Sequence, residues 1–353
     1  MKLKILLCSA AAMAAAGLIL FFPKEMTGAV SAGCRDCFEV IIPSLFAFTI
    51  LAVFLQKSGL YRFALKPLTY PLSKLLRTDE EICALIILSN IGGYPVGAKL
   101  LSTAVREGRL SPRDAGRLMC CCFGSGPSFV IGLAGMRVFG SAAAGGAMFA
   151  ACLATSLIMA LAVRSRGEFA LIGSRAPLRL GAETLIDSVT DAARVMFTVC
   201  AMITGFSAIA CAVELTGLSA AAQELFRLLN AGDNAGRILP ALLEVSRIKE
   251  LAPSGGWVLA LCCGMLEFGG VCVLLQVAAL AKGIPLKAFL LSRIPAAIIG
   301  AALSIPAALR LSPALPAIAD GASVRAFSSG GALGFCVFMM CVILLGFSRE
   351  KSA

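Results

Sequence analysis

Two apolar segments within residues 90–135 are each interrupted near the middle by glycine and proline. The interruptions are Gly92-Gly93-Tyr94-Pro95 and Gly124-Ser125-Gly126-Pro127. Between them a polar stretch carries Arg106, Glu107, Arg109, Arg113, Asp114 and Arg117. At membrane depth the backbone N–H and C=O groups freed by such breaks have no water to bond. They survive only inside protein or beside a water-filled cavity. Paired interrupted helices near the bilayer midplane are the usual pointer to a transport site.

Breaks of this kind carry that meaning only in a membrane chain, and the composition is that of one. Of 353 residues, 59% are hydrophobic and 14% are charged, and the mean hydropathy is +0.91. A soluble chain is roughly 45–50% apolar and about 25% charged. The sequence predicts an all-α integral membrane protein whose one membrane domain uses the whole length. The net charge of +11 reads as a cytoplasmic loop bias. Basic residues cluster at segment ends rather than on one face, so nucleic acid is not an expected partner.

Fifteen cysteines lie mostly in apolar runs, such as Cys120-Cys121-Cys122 and Cys262-Cys263, where the thiol acts as a small hydrophobe. The chain has no histidine, so neither a metal nor another cofactor is expected. Only Cys34-Arg35-Asp36-Cys37 has the spacing of a thiol pair; chance and a disulfide both stay open. Catalysis needs a nucleophile with a base, or a metal cluster. The acids are scattered, so no catalytic residues and no enzyme are expected.

Run lengths and loop charges predict about eight transmembrane helices, at 5–22, 38–56, 118–136, 139–163, 192–213, 257–281, 288–309 and 331–347. Both termini are expected in the cytoplasm. Residues 23–37 are nearly balanced in charge and read as an outer loop. Residues 57–77 are basic and partly apolar, and read as a helix lying on the inner surface. Residues 81–91 would make a helix about 16 Å long, against a hydrocarbon core of about 30 Å. With 95–107 they form a re-entrant hairpin opening inside. A second, shorter hairpin is expected within 238–256. Arg164, Arg166, Arg175 and Arg179 mark an inner loop, 215–237 is mixed in charge and reads as outside, and 312–330 is a polar outer loop.

The order span, amphipathic segment, hairpin, broken span, span occurs twice. Lys57-Ser58-Gly59-Leu60 echoes Leu215-Thr216-Gly217-Leu218. Tyr94 to Lys99 stands where Glu244 to Lys249 stands, and Gly126-Pro127-Ser128 where Gly269-Gly270-Val271 stands. The first copy starts outside and the second inside, an inverted-topology repeat. The divisions are 1–37, an N-terminal helix and outer loop; 38–165, repeat one; 186–310, repeat two; and 331–353, a C-terminal helix.

Candidate binding residues follow from the breaks and from charges in apolar runs. Asn90, Gly93, Tyr94, Pro95 and Lys99 belong to the first hairpin. Ser125, Pro127 and Ser128 belong to the first broken span. Glu244, Arg247 and Lys249 belong to the second hairpin, where Glu244 and Arg247 have the spacing to pair. Glu267, Gly269, Gly270 and Gln276 belong to the second broken span. A charge at the depth of Glu267 costs about 2.5–3.5 kcal/mol on insertion scales and marks function by default. The half-helix starts at Pro127 and Gly269 would present free N–H groups to an anion; close packing through small residues is the alternative. Arg293, near a span end, reads as a side chain reaching back to the surface.

GGYPVGAKLL (from Gly92), GSGPSFVIGLAG (from Gly124), LLEVSRIK (from Leu242) and LEFGGVCVLLQ (from Leu266) resemble the Gate, or nucleoside-recognition, superfamily over about residues 38–310. Within it the chain looks like the sporulation integral membrane proteins of the YlbJ (SpoVV) type. Similar proteins carry a Thr-Asn-Gly stretch where this chain has Ser246-Arg247-Ile248. The resemblance implies paired hairpins like those of concentrative nucleoside transporters, and a role in moving dipicolinic acid across the outer forespore membrane during sporulation. Lys99, Arg247 and Lys249 near the breaks favour an anionic small molecule. The alternatives are a nucleoside or nucleobase transporter, or a non-transporting membrane scaffold needed for spore cortex formation. Expected partners are the substrate and the lipid bilayer; a coupling proton or sodium ion and a homo-oligomer stay open.

Overall fold

The computed structural model describes residues 2–311 apart from 166, 168, 170, 173–177, 229–230 and 254–255. The expected outer loop 312–330, last helix 331–347 and cytoplasmic tail lie outside the described residues, as do Arg166 and Arg175. Apart from one isolated bridge between Leu110 and Leu171, the described residues form helices and loops. The chain opens with α1 (Lys2–Phe21), apolar and exposed, and continues into α2 (Pro23–Asp36).

Residues 23–37 are therefore not a loop. A π-helical turn, Cys37–Ile41, joins α2 directly to α3 (Ile42–Ser58). Proline has no N–H to return to the preceding turn, and the turn before Pro43 widens instead. The polar residues of α2 misled the charge reading because one face of α2 packs on a neighbour. Gly33 meets Ser207, Cys34 lies 3.8 Å from the Thr204 hydroxyl, and the Cys37 thiol lies 3.7 Å from the Cys200 carbonyl. Cys34 and Cys37 are free thiols, each engaged with that helix.

The short helices α4 (Tyr61–Ala64) and α5 (Lys66–Leu76) follow, with Phe63, Leu68, Tyr70 and Leu75 exposed. Next come α6 (Glu80–Gly92) and α7 (Tyr94–Arg106), packed on one another and joined only by Gly93. Each has 13 residues, about 20 Å, too short to cross a bilayer core of about 30 Å. Arg109 braces this pair through Glu107 and Glu81. Burial alone would lower the Arg109 pKa, but Glu107 and Glu81 outweigh it and the net shift is upward. The helix α8 (Pro112–Leu118) starts at a Ser111 cap whose hydroxyl accepts from the Asp114 N–H at 3.0 Å.

After α8 the chain runs irregularly to a second π-helical segment, Phe129–Val138, and then to α9 (Ala142–Arg164), capped by Ser141. The long α10 (Ala182–Leu215) has 34 residues, about 51 Å, enough to cross a bilayer and project beyond it. The second half continues with α11 (Leu218–Leu228), α12 (Ala235–Leu243), a 3₁₀ segment Val245–Glu250, α13 (Gly256–Phe268), α14 (Gly270–Leu280) and α15 (Lys287–Leu311).

Among the described residues five helices are long and apolar enough to cross a membrane: Pro23–Ser58, Ala142–Arg164, Ala182–Leu215, Gly256–Leu280 and Lys287–Leu311. They correspond to five of the eight expected spans. Of the other three, 5–22 is α1, 118–136 is divided between α8, a loop and a π-helical segment, and 331–347 is not described. The core lies where α13 packs on α15, α15 on α9, and α9 on the segment Phe129–Val138.

Small residues set the close crossings. A Cβ at Gly97 would collide with the Cys122 carbonyl, and one at Gly135 would lie 2.6 Å from the Gly145 Cα. Gly146, by contrast, faces open space. Gly97→Val is expected to cost about 1–3 kcal/mol or more through overpacking, seen as a lower thermal midpoint in detergent. Gly146→Ala is expected to hold or raise that midpoint.

Candidate functional site

The four breaks meet. Gly93, at φ +94°, joins the arms of the first hairpin, and a Cβ added at Gly126, at φ +70°, would lie 3.3 Å from the Gly93 Cα and the Ile91 carbonyl. Side chains rarely adopt these backbone angles, so glycine is required at both. In the second half a Cβ added at Gly269 would strike the Phe123 ring, and one at Gly270 would lie 3.2 Å from the Leu242 carbonyl and the Val245 amide nitrogen. One contiguous line thus runs from the first hairpin, through the first and second broken spans, to the second hairpin.

Helices that stop inside the protein leave carbonyls without partners, and the central polar side chains answer them. Asn90 Nδ2 donates to the Cys121 carbonyl at 3.2 Å, the Ile86 carbonyl at 2.8 Å and Ser156 Oγ at 2.9 Å. Ser156 Oγ donates to the same Cys121 carbonyl at 2.7 Å. The Tyr94 hydroxyl donates to the Leu266 carbonyl at 2.7 Å, joining α7 to the end of α13.

Arg293 is 1% exposed. Its guanidinium donates to the Cys120 carbonyl at 2.5 Å and the Glu267 carbonyl at 3.3 Å. It lies over the rings of Phe123 at 4.5 Å and Phe289 at 4.9 Å, a cation–π arrangement. Tyr94 stacks obliquely on Phe123 at 4.8 Å and meets Phe129 edge-on at 6.2 Å. The Glu267 carboxyl, also buried, interacts electrostatically with Arg293 and lies against the Cys152 thiol. The expectation that Arg293 reaches back to the surface is overturned: the bend of the chain at Gly269 and after Leu118 brings two helix ends onto it.

Of the residues singled out from the sequence, the structure brings Asn90, Gly93, Tyr94, Ser125, Glu267, Gly269 and Gly270 to this centre. Pro95 opens α7 beside it, and Pro127 and Ser128 lead half-buried into the segment Phe129–Val138. Gln276 is buried on α14, where its amide lies 3.3 Å from Cys272 Sγ.

The remaining cations stand apart from the centre in ion pairs. Lys99 pairs with Asp191 at 3.1 Å. Lys249 pairs with Asp36. Arg247 pairs with Glu250 at 3.0 Å and Glu214 at 3.5 Å, rather than with Glu244. The cause is local: Glu244 is extended, not helical, and its carboxylate turns back to accept from the Ser246 N–H at 3.0 Å and from the Ser246 hydroxyl. Glu244 and Arg247 line a cavity of about 520 Å³ together with Glu25, Asp36, Glu214 and Glu250.

Sequence reasoning missed Phe123, Phe289 and Ser156 and placed Arg293 at the surface. Arg293 carried a usable signal, a charge inside an apolar run next to Pro295, the rule that found Glu267. The two phenylalanines and Ser156 carried none.

The chain is 29% identical over 153 residues to the sporulation integral membrane protein YlbJ of Bacillus subtilis (strain 168). The match covers 42% of this chain and 37% of that protein's length. No family model and no solved structure matches. The fold and this likeness make the chain a multi-pass membrane protein similar to a sporulation membrane protein.

Asn90→Ala would leave the Cys121 carbonyl with Ser156 alone and strip a donor from a buried network. It is expected to cost about 1–3 kcal/mol, measured as a fall in thermal midpoint of the detergent-solubilised protein.

Proposed function

We propose that the chain is a membrane transporter that carries a small planar anion through the centre where the breaks meet. Dipicolinate, moved across the outer forespore membrane, is the substrate this reading names. The observation that carries it is Arg293: a buried guanidinium flanked by aromatic rings, bonded here to backbone carbonyls. A carboxylate is a stronger partner than a carbonyl, so an aromatic carboxylate reaching this place would exchange one for the other and stack on the rings. The name of the similar Bacillus protein supports a sporulation setting.

The architecture of the proposal is an inverted repeat of about eight spans and two re-entrant hairpins, with both termini cytoplasmic. The helix contacts support it. The first hairpin arm α7 packs on α14, and the second hairpin's 3₁₀ segment packs on Phe129–Val138. The first long helices, α3 and α10, pack together, as do the last ones, α9 and α15. Exchange of unlike partners and self-pairing of like ones is what a two-fold relation between halves requires. The units bounded this way begin at Pro23 and Ala182, earlier than the divisions drawn from hydropathy.

One observation favours a second reading, a neutral nucleoside or nucleobase. The cavity beside the second hairpin has five carboxylic side chains against one guanidinium, a lining that repels a dianion.

Purified protein in liposomes distinguishes these readings. Saturable uptake of labelled dipicolinate and none of uridine is expected. Arg293→Gln is expected to weaken that uptake about ten- to a hundredfold, the loss of a hydrogen bond to a charged group of about 1.5–3 kcal/mol. Uridine uptake instead would select the nucleoside reading. Flux of neither by folded protein would leave a non-transporting scaffold.

The inverted repeat has its own test. Tyr70 on α5 and Leu225 on α11 are both exposed. Tyr70→Cys and Leu225→Cys should react with a membrane-impermeant thiol reagent from opposite sides of a sealed membrane. Reaction from the same side would end the two-fold relation.

A further inference from the structure

Lys99 and Lys249 hold matching places. Lys99 is the fifth residue after Tyr94, and Lys249 the fifth after Glu244, the residues at the two hairpin breaks. Each reaches out of its own half. Lys99 of α7 pairs with Asp191 of α10, the first long helix of the second half. Lys249, in the 3₁₀ segment, pairs with Asp36 at the end of α2, on the first long helix of the first half. Both pairs are half-buried, with 14–25% of each side chain exposed. Lys57 shares Asp191 at 2.9 Å, and Arg247 adds its contact to Glu214 of α10. The centre itself is filled by Tyr94, Phe123, Phe289 and Arg293, all buried.

We propose that these two lysine–aspartate pairs are the gates of the transport cycle. Each latches one hairpin to the opposite half. Opening toward one side breaks one pair and leaves the other made. The proposal rests on the transporter reading. The structure, with both pairs formed and the centre packed, is then the closed state between two open ones. Ion pairs of this exposure suit the task. When the hairpin moves away, both charges return to water, so separation leaves no unpaired buried charge of the kind that makes a fully buried pair hard to break. An apolar latch would instead expose apolar surface to water at every opening.

Cys211 reports on one side. It lines the same cavity as Asp36, Glu244 and Arg247. The full chain in liposomes is treated with a membrane-impermeant maleimide, and the rate of Cys211 modification is read by mass spectrometry of its peptide. Lys249→Ala should raise that rate about threefold or more, because it frees the cavity side. Lys99→Ala should lower it, because the population moves to the form open on the other side. The swapped pair Asp36→Lys with Lys249→Asp should return to the wild-type rate, as should Lys249→Arg. If Lys249→Ala does not fold, Asp36→Asn breaks the same pair and takes its place. Rates that do not change, that change in the same direction in both variants, or that the swap does not restore overturn the gates. Labelling needs no substrate, so absence of dipicolinate and uridine flux would overturn the transporter reading separately.

Discussion

A helix that ends inside an apolar interior leaves carbonyl groups that only protein can answer, and the middle of this structure is arranged around that demand. The chain after α8 leaves the Cys120 and Cys121 carbonyls, and the end of α13 leaves those of Leu266 and Glu267. Their donors come from four other helices: Asn90 on α6, Tyr94 on α7, Ser156 on α9 and Arg293 on α15. A buried carbonyl left alone costs about 1–3 kcal/mol. The breaks therefore do not loosen the bundle. They fasten helices that lie far apart in the sequence to one another through their polar groups.

The same arrangement explains why a bare cation is tolerated at the centre. Helix C-termini carry partial negative charge, and two of them, those of α8 and α13, end on Arg293. The faces of Phe123 and Phe289 add further negative potential, and the buried Glu267 carboxyl lies nearby. The guanidinium is held by dipoles and rings, which a carboxylate can displace without leaving a charge stranded. Structure and proposed chemistry thus use one device: what stabilises the packed centre is what a planar anion would replace.

Much of this was legible in the sequence where glycine and proline carry the signal. The breaks at Gly93, Gly126 and Gly269 follow from residues that cannot continue a helix. Hydropathy located the five long spans, although α2 was hidden. Glu25 and Asp36 line the cavity and Cys34 meets α10, and the π-helical turn before Pro43 lets the helix run on where charge alone suggests a loop. The ion pairs were not legible. Lys99 finds Asp191 and Lys249 finds Asp36 only after the halves pack, and no local spacing encodes that. Arg293 was misplaced for a related reason. Its depth is set not by its position in α15 but by where α8 and α13 end.

The two hairpins are not equivalent, and the difference bears on which side yields first. The first has two α-helical arms of 13 residues each, with Gln56 of α3 bonded to the Leu100 carbonyl. The second has a nine-residue arm, α12, and a six-residue 3₁₀ segment held at its start by the Glu244 cap on Ser246. Hydrogen-bond geometry in a 3₁₀ turn is poorer than in an α-helix, and short elements with few internal bonds are where local opening begins. The cavity of about 520 Å³ lies against this weaker hairpin. Reshaping six residues there disturbs fewer bonds than tilting the whole of α6 and α7. The second hairpin is thus the side on which the structure gives way at the smaller cost.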